Sequence, residues 1–474
     1  MVSDGAHVAV IGAGMAGLAA AEVLVGGGAR VTVIEPAGRC GGVLETMCRD
    51  DWLVERSADC FLAARPEAVA LAERLGLGDE LLPVAPAVRR ALVWHDGRGV
   101  PAPDGFRLLA AGSRGGILRT PLLSPRGRLR LLLEPWVPAR RPAAGDADES
   151  LESFAVRRLG REAFERLVQP LAAGVWTADP ARLSMAAACP DFLAMERNAG
   201  SLWAGERRRL RQAHEAGTAG ARYGQFLTLA SGMETLPRRL AAHLTARGVT
   251  FVTAAATGVN RDGTGGWTVA TADGASLAAE AVVVATPAPV AARLLAATDA
   301  SLATSLGSID YAGSAIVSLG YRRDDVAHPL DAAGMVVPRG SGRRALAVSF
   351  SSAKFPGRTP PGHVLLRVFV GGALDPAVLD LDDAALEALG RDEAAALVGA
   401  RGRPALARVD RWHGSMPQYH VGHLDRVARI EAAVAAHSGL ALAGAAYRGV
   451  GIPQVIASGQ EAARRILATT TARP

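Results

Sequence analysis

The sequence predicts an α/β fold: a Rossmann-type domain, discontinuous along the chain, with an α+β domain and a mainly helical insertion. Three observations lead there. Residues 7–35 run as apolar stretch, glycine-rich turn, alanine-rich stretch, then a second apolar stretch ending in an acid. Strand patterns return much later: Val249–Thr253, a buried strand running into a turn over Ala281–Pro287, and the start of a strand–turn–helix at Ala441–Gly444. Between them, residues 101–150 change character, with Pro, Gly and Arg recurring among leucines, before helical periodicity resumes.

The first unit carries the chemistry. His7–Ile11 is a short strand, followed at once by Gly12-Ala13-Gly14-Met15-Ala16-Gly17 and an alanine-rich helix that Gly26-Gly27-Gly28 stops. Gly12 allows the tight turn, Gly14 lets the backbone approach a pyrophosphate, and Gly17 lets helix and strand pack closely. Arg30–Ile34 is the second strand, ending in Glu35. A carboxylate roughly 20 residues beyond the glycines accepts hydrogen bonds from ribose hydroxyls and disfavours a 2′-phosphate. Arg39-Cys40-Gly41-Gly42 then complete an E-x-x-x-R-x-G-G arrangement. It resembles the extended fingerprint of amine-oxidase-like FAD flavoproteins. That resemblance implies Arg39 beside the phosphates and Gly41 and Gly42 passing close to the flavin.

Composition sets the bounds. At 474 residues the chain is long enough for two or three domains, and 49% hydrophobic content excludes a disordered protein. The net charge of +6 comes almost wholly from arginine, Lys354 being the sole lysine. No zinc knuckle or aromatic RNA-binding signature accompanies it, so nucleic acid is not expected as a partner. A positive surface suits carboxylate substrates or anionic lipid. Cys40, Cys48, Cys60 and Cys189 lack C-x-x-C spacing and fit reduced thiols. The N-terminal apolar stretch lacks a basic leader, and no run of about 18 apolar residues occurs, so neither signal peptide nor membrane span is expected. The expected location is cytoplasmic, with peripheral contact at the inner face of the membrane left open.

Along the chain, Trp52–Glu55 reads as a strand, Pro66–Leu75 as a helix ending at Gly76, and Arg90–Trp94 with Asp96-Gly97 as a hairpin. Pro121–Leu133 mixes basic and apolar residues. Two readings stand: a membrane-contacting or lid element within 106–140, or a helix packed on the protein with snorkelling arginines. Arg140–Glu149 reads as an exposed loop and Arg207–Arg211 as a solvated face. Met233–Leu244 reads as a helix with Pro237 in its first turn, followed by a small β-meander around Asp262-Gly263 and Asp273-Gly274. Residues 297–405 alternate strands and helices, and Gly449-Val450-Gly451-Ile452-Pro453 leads into a final helix over Val455–Ile466. The expected division is 1–95, 225–296 and 406–474 for the nucleotide domain, 96–224 for the insertion and 297–405 for the α+β domain.

The chain as a whole resembles the FAD-dependent, oxygen-using porphyrinogen oxidases, which act on protoporphyrinogen or coproporphyrinogen III. Beyond Gly12–Gly42 the resemblance rests on Val54–Leu62, Gln169–Leu171 through Leu183-Ser184, and Gly232–Leu236. It is most specific at Met416-Pro417-Gln418-Tyr419-His420-Val421-Gly422-His423 and Leu442–Ile452. Ser57-Ala58 stands where the family has Gly-Pro, Cys60 where it has Ser, and Ala445-Ala446 where many members have Asn or Ser. The resemblance implies that FAD is lined by Gly12, Ala13, Gly14, Met15, Ala16, Gly17, Glu35, Pro36, Arg39, Gly42, Val43 and Ser57, Ala58, Asp59, Cys60. Val252 would meet the adenine through its backbone, Gly444 would join the site, and Val450, Gly451 and Ile452 would approach the isoalloxazine. The helix starting there can stabilise negative charge on a reduced flavin. FAD is expected to be non-covalent, since Gly449–Ile452 holds no cysteine or histidine.

The implied chemistry is the six-electron oxidation of a porphyrinogen in three two-electron steps, with O2 as acceptor and hydrogen peroxide as product, in heme biosynthesis. Arginine's planar fork suits the substrate propionates, and Arg90 matches the family's propionate-binding arginine. A surface salt bridge is the alternative for Arg90, and no proton-transfer residue is identified. A homodimer and a transient contact with the next heme-pathway enzyme belong to the same set of expectations. His413, His420 and His423 lack nearby carboxylate or cysteine partners in sequence, so packing or backbone hydrogen bonding is expected and metal is not. Two other functions compete: a flavin amine oxidase or carotene-type desaturase of the same fold, and a non-catalytic FAD-containing binding protein. Amine oxidases carry a lysine near the flavin at the position matching Val317, and Lys354 sits in a loop-like context. Proto- and coproporphyrinogen are not separable at this level.

Overall fold

The structure, a computed structural model, describes residues 5–110, 113–140, 148–215, 226–263 and 265–470. Of the loop expected over Arg140–Glu149, residues 141–147 lie outside the described residues, as do 111–112 of the 106–140 stretch. The α/β fold class is as expected.

Apolar runs with no alternation need cover on both faces, and the first sheet obeys that rule. Its order is Thr250–Val252, Arg30–Ile34, His7–Ile11, Ala281–Val284, Leu440–Leu442, with every pairing parallel. The helices Met15–Gly26, Thr235–Ala246 and Ile452–Thr470 cover one face, around Val8, Val10, Leu18, Leu24, Leu240, Val283 and Ile456. Helices Ala288–Leu295 and Ala300–Gly307 and the antiparallel meander Ala256–Arg261, Trp267–Thr271, Ser276–Ala279 cover the other. The first and last helices touch backbone to backbone: a Cβ on Gly459 would lie 2.0 Å from the Ala16 carbonyl oxygen. That contact sets the start of the first helix against the third turn of the last.

A second sheet has the order Leu406–Pro417, Tyr311–Arg322, His363–Gly371, Ala345–Phe350, Gly334–Val336, Ala91–His95, Arg98–Pro101. The last two strands are the expected hairpin, with Asp96 at φ 47° and Gly97 at φ 76°, the backbone a tight two-residue turn demands. Helix Asp383–Val398 packs on this sheet, setting Leu386, Leu397 and Val398 in one core with Val317, Tyr321, Phe350 and Leu366. The insertion is helical as expected, from Arg114–Arg119 to Leu202–Glu215, around Leu122, Leu123, Phe154, Leu167 and Phe192. Pro125–Leu132 is a helix whose buried Leu131 packs inward while Leu129 faces solvent. Met233 lies in the turn before its helix, which starts at Thr235 and keeps Pro237 in its first turn.

Candidate flavin site

The glycine turn closes on its own neighbourhood. The Gly12 N–H donates to the Ile34 carbonyl at 2.8 Å, and the Ala13 N–H to Glu35 Oε2 at 2.8 Å. Gly12 sits at φ +103°, and a Cβ there would lie 2.8 Å from the Ala285 oxygen. A Cβ on Gly17 would lie 1.9 Å from the Gly12 oxygen, so these two glycines are demanded by protein packing. Gly14 differs: nothing lies within 4 Å of where its Cβ would be. The helix that begins at Met15 has no side-chain cap and no acid in its first turn. Open space at Gly14 and an uncapped helix start are what a pyrophosphate needs, so the residues present fit a dinucleotide.

The next segment folds onto that turn. The Gly41 N–H donates to the Ala13 carbonyl at 2.8 Å, and a Cβ on Gly42 would lie 3.2 Å from the Gly14 Cα. Arg39 reaches back to the Gly42 carbonyl at 2.7 Å and pairs with Glu45 at 3.0 Å, clamping the loop that carries Val43. The Ser57 hydroxyl donates to the Val43 carbonyl, which brings Ser57–Cys60 to the same cradle. On the other side, the Glu35 N–H donates to the Val252 carbonyl at 3.0 Å. Pro36 follows Glu35 directly, and the Ala37 N–H donates to Glu35 Oε1 at 3.0 Å. Residues from five separate stretches thus adjoin.

Two of the resembling motifs meet through Thr46. Its hydroxyl donates to buried Glu55 at 2.7 Å, and its N–H donates to Glu234 at 2.9 Å. The Met233 N–H completes the join by donating to Glu55 at 2.9 Å. Burial pushes the Glu55 carboxyl up from its ordinary pKa.

A buried ion cluster lies against the cradle. Asp59 accepts from Lys354 Nζ at 2.8 Å and lies 3.4 Å from the Arg367 guanidinium, which also donates to the Ser57 carbonyl. Burial raises the Asp59 pKa, but Lys354 and Arg367 together outweigh it and hold the carboxyl well below the carboxylate range. Burial and the Asp59 charge push the neighbouring Cys60 thiol far up, so it is no nucleophile. The loop-like context expected for Lys354 is corrected here: it ends a short helix, Ser351–Lys354, and its side chain is buried as an ammonium against Asp59. Val317 packs against Gly390 in the core of the second sheet. Arg367 could have been found in sequence, because it interrupts the apolar run Val364–Val370 as a lone charge.

The turn after strand Leu440–Leu442 carries Gly444 and leads to Val450, Gly451 and Ile452, where the last helix starts. Gly444 and Gly449 have φ of +130° and +143°, and the Gly444 N–H donates to Ser458 Oγ at 3.0 Å. Val450 packs against the insertion's hydrophobic core, to which Tyr419 also belongs. His423 makes the expected backbone hydrogen bond, to the Tyr447 carbonyl at 2.9 Å; His420 instead meets side chains, Arg182 at 3.2 Å and the Asp310 carboxylate at 3.3 Å, and His413 is exposed. Arg90 stands apart. It is half-exposed, paired with Asp331 and donating to the Asp331 carbonyl at 2.9 Å.

A family model for flavin-containing amine oxidoreductases matches residues 15–467. The chain is 31% identical over 469 residues to the coproporphyrinogen III oxidase of Bacillus subtilis (strain 168), covering 97% of this chain and 98% of the relative. It is 33% identical over 490 residues to that of Propionibacterium freudenreichii subsp. freudenreichii, covering 97% of this chain and 90% of the relative. Among solved structures, a candidate protoporphyrinogen oxidase from Exiguobacterium sp. 255-15 superimposes with a TM-score of 0.86 at 26% identity, covering 99% of this chain and 100% of that one. The chain is therefore an oxidoreductase of the flavin-containing amine oxidoreductase family and belongs to its porphyrinogen oxidase branch.

Proposed function

We propose that the chain binds FAD non-covalently and oxidises a porphyrinogen to the porphyrin, in three two-electron steps with O2 as final acceptor and hydrogen peroxide as product. The observation that carries this is likeness over nearly the full length to two relatives named for coproporphyrinogen III oxidation. Bound FAD supplies a two-electron acceptor. The residues supply the rest. Gly12–Gly17 receive the pyrophosphate at the helix start, Glu35 the ribose, and the Val252 backbone borders the adenine. Arg39 holds the loop that lets Gly42 and Val43 pass the cofactor, and Ser57–Cys60 floor it. Gly444 and Val450–Ile452 present the last helix's N-terminus to the flavin ring. In this reading 1–95, 225–296 and 406–474 hold the cofactor, 297–405 bounds the substrate, and 96–224 closes the substrate side. Arg90 takes a propionate by exchanging its Asp331 partner.

Peripheral membrane contact through 106–140 fits the same reading. Leu118, Leu129, Leu133 and Trp136 are exposed, Trp136 by 72%, among Arg119, Arg126 and Arg128. Among the described residues no helix is long and apolar enough to cross a membrane.

Anaerobic mixing of the purified yellow protein with coproporphyrinogen III, and separately with protoporphyrinogen IX, tests the proposal. Flavin bleaching with one or both, restored by air with peroxide release, is expected. No bleaching with either overturns it. Acid precipitation should leave a colourless pellet; a yellow pellet overturns non-covalent binding.

A further inference from the structure

Outside the cradle, one arrangement has no part in the chemistry described so far. The Tyr419 hydroxyl donates to the Ala445 carbonyl at 2.5 Å and accepts the Gly449 N–H at 2.8 Å. Its ring stacks on the His423 imidazole, with centroids 4.0 Å apart and planes 16° from parallel. His423 Nε2 lies 2.9 Å from the Tyr447 carbonyl, so Nε2 carries the proton, and buried Nδ1 has no partner among the described residues. Two side chains thus hold the main chain at Ala445, Tyr447 and Gly449, across the whole turn that precedes the last helix. The same segment is pinned from behind. The Ser184 N–H donates to the Tyr419 carbonyl at 2.7 Å, and the Val421 N–H donates to the Arg182 carbonyl at 2.8 Å.

We propose that Tyr419 and His423 are positioning residues, which set the Gly444–Gly451 turn and the start of the last helix against the flavin and tie that setting to the helical insertion. The inference rests on the reading that this turn meets the flavin. A helix N-terminus acts on a nearby charge only within its first turn, so small displacements of this turn change its effect on the flavin. Burial also matters: the Tyr419 and His423 side chains are almost wholly enclosed, and removing the hydroxyl leaves both the Ala445 carbonyl and the Gly449 N–H unpaired.

The test uses purified holoprotein and reads FAD release, the flavin's midpoint potential and thermal stability. In Tyr419→Phe, which keeps the ring and its stack, FAD release should quicken roughly five- to a hundredfold, and the midpoint potential of the flavin still bound should move negative. His423→Leu should do the same to a smaller degree. His423→Gln, whose amide can still donate to Tyr447, should recover most of the change. Lowered thermal stability with wild-type release and potential in Tyr419→Phe and His423→Leu overturns the proposal, because the pair would then only pack. If Tyr419→Phe does not fold, the two His423 variants decide by the same readouts. Gly451→Val separates the two levels. Should it bind FAD as wild type does, the reading of the turn as a flavin contact fails. Should it lose FAD while Tyr419→Phe keeps wild-type release and potential, the reading stands and the positioning role fails.

Discussion

The glycine cradle at residues 12–42 and the turn at 444–452 both join a parallel strand to a helix, yet they are held in opposite ways. The cradle is closed within its own strand–helix–strand unit and the loop after it, largely by main chain: Gly12 to Ile34, Ala13 to the Glu35 carboxylate, Gly41 to Ala13. The later turn is closed by side chains from another element, Tyr419 and His423, with Ser458 of the helix it leads into. A loop closed within its own unit is set chiefly by its own residues, with Ser57 and the Asp59 cluster backing this one. A loop held from outside inherits every displacement of the elements that hold it.

The largest expected effects lie inside the cradle and contrast two of its glycines. Gly17→Ala forces a methyl into the Gly12 carbonyl and should cost about 4 kcal/mol or more, seen as loss of cooperative unfolding or of soluble protein. Gly14→Val should leave the fold intact, since its Cβ points into open space and its φ of −69° suits any residue, yet abolish FAD binding. Stoichiometric FAD in a folded Gly14→Val protein would remove the pyrophosphate from this turn.

Next comes the ion cluster that backs the cradle. Asp59→Asn strands Lys354 and Arg367 as buried cations and should cost about 3–5 kcal/mol at pH 7 in urea unfolding. Lys354→Met should cost less, because Arg367 still faces Asp59. The folded carboxyl titrates below its unfolded value of about 3.9. Its stabilisation is therefore complete above that pH and fades as pH falls toward the folded pKa. The gap between wild type and Asp59→Asn should narrow below about pH 4; a gap constant from pH 7 to 3 would refute the ion-pair account.

The later turn has its own pH signature. Burial lowers the His423 pKa to about 4. Unfolding lets it protonate at about 6.5, so the folded state binds fewer protons between the two values. Stability attributable to this residue is full above about pH 6.5 and falls by up to about 3 kcal/mol as pH drops to 4. His423→Gln should flatten that slope, which unfolding curves across the window can read.

Arg90 belongs to neither loop and should show the smallest structural effect. It pairs with Asp331 at the surface, so Arg90→Ala should change stability by less than about 1 kcal/mol. If it binds a propionate, kcat/KM should still drop about ten- to a hundredfold, and Arg90→Lys should recover only part. Unchanged kinetics toward both porphyrinogens would leave the residue as a surface ion pair.

By itself the sequence determined the first sheet's strands, the glycines that demand positive φ or close approach, the acid at Glu35, and family membership. These are properties of contiguous residues: period, backbone freedom and short spacing decide them before the chain is folded. Tertiary structure alone decided the partners. Lys354 meets Asp59 across 295 residues of chain. Arg367 reaches Ser57 from the middle of an apolar strand, and Tyr419 closes a turn 26 residues beyond it. Arg90, a candidate for substrate, is engaged by Asp331. An ion pair or a side-chain hydrogen bond depends on strand order and on which face a side chain takes, and neither is carried by the local pattern.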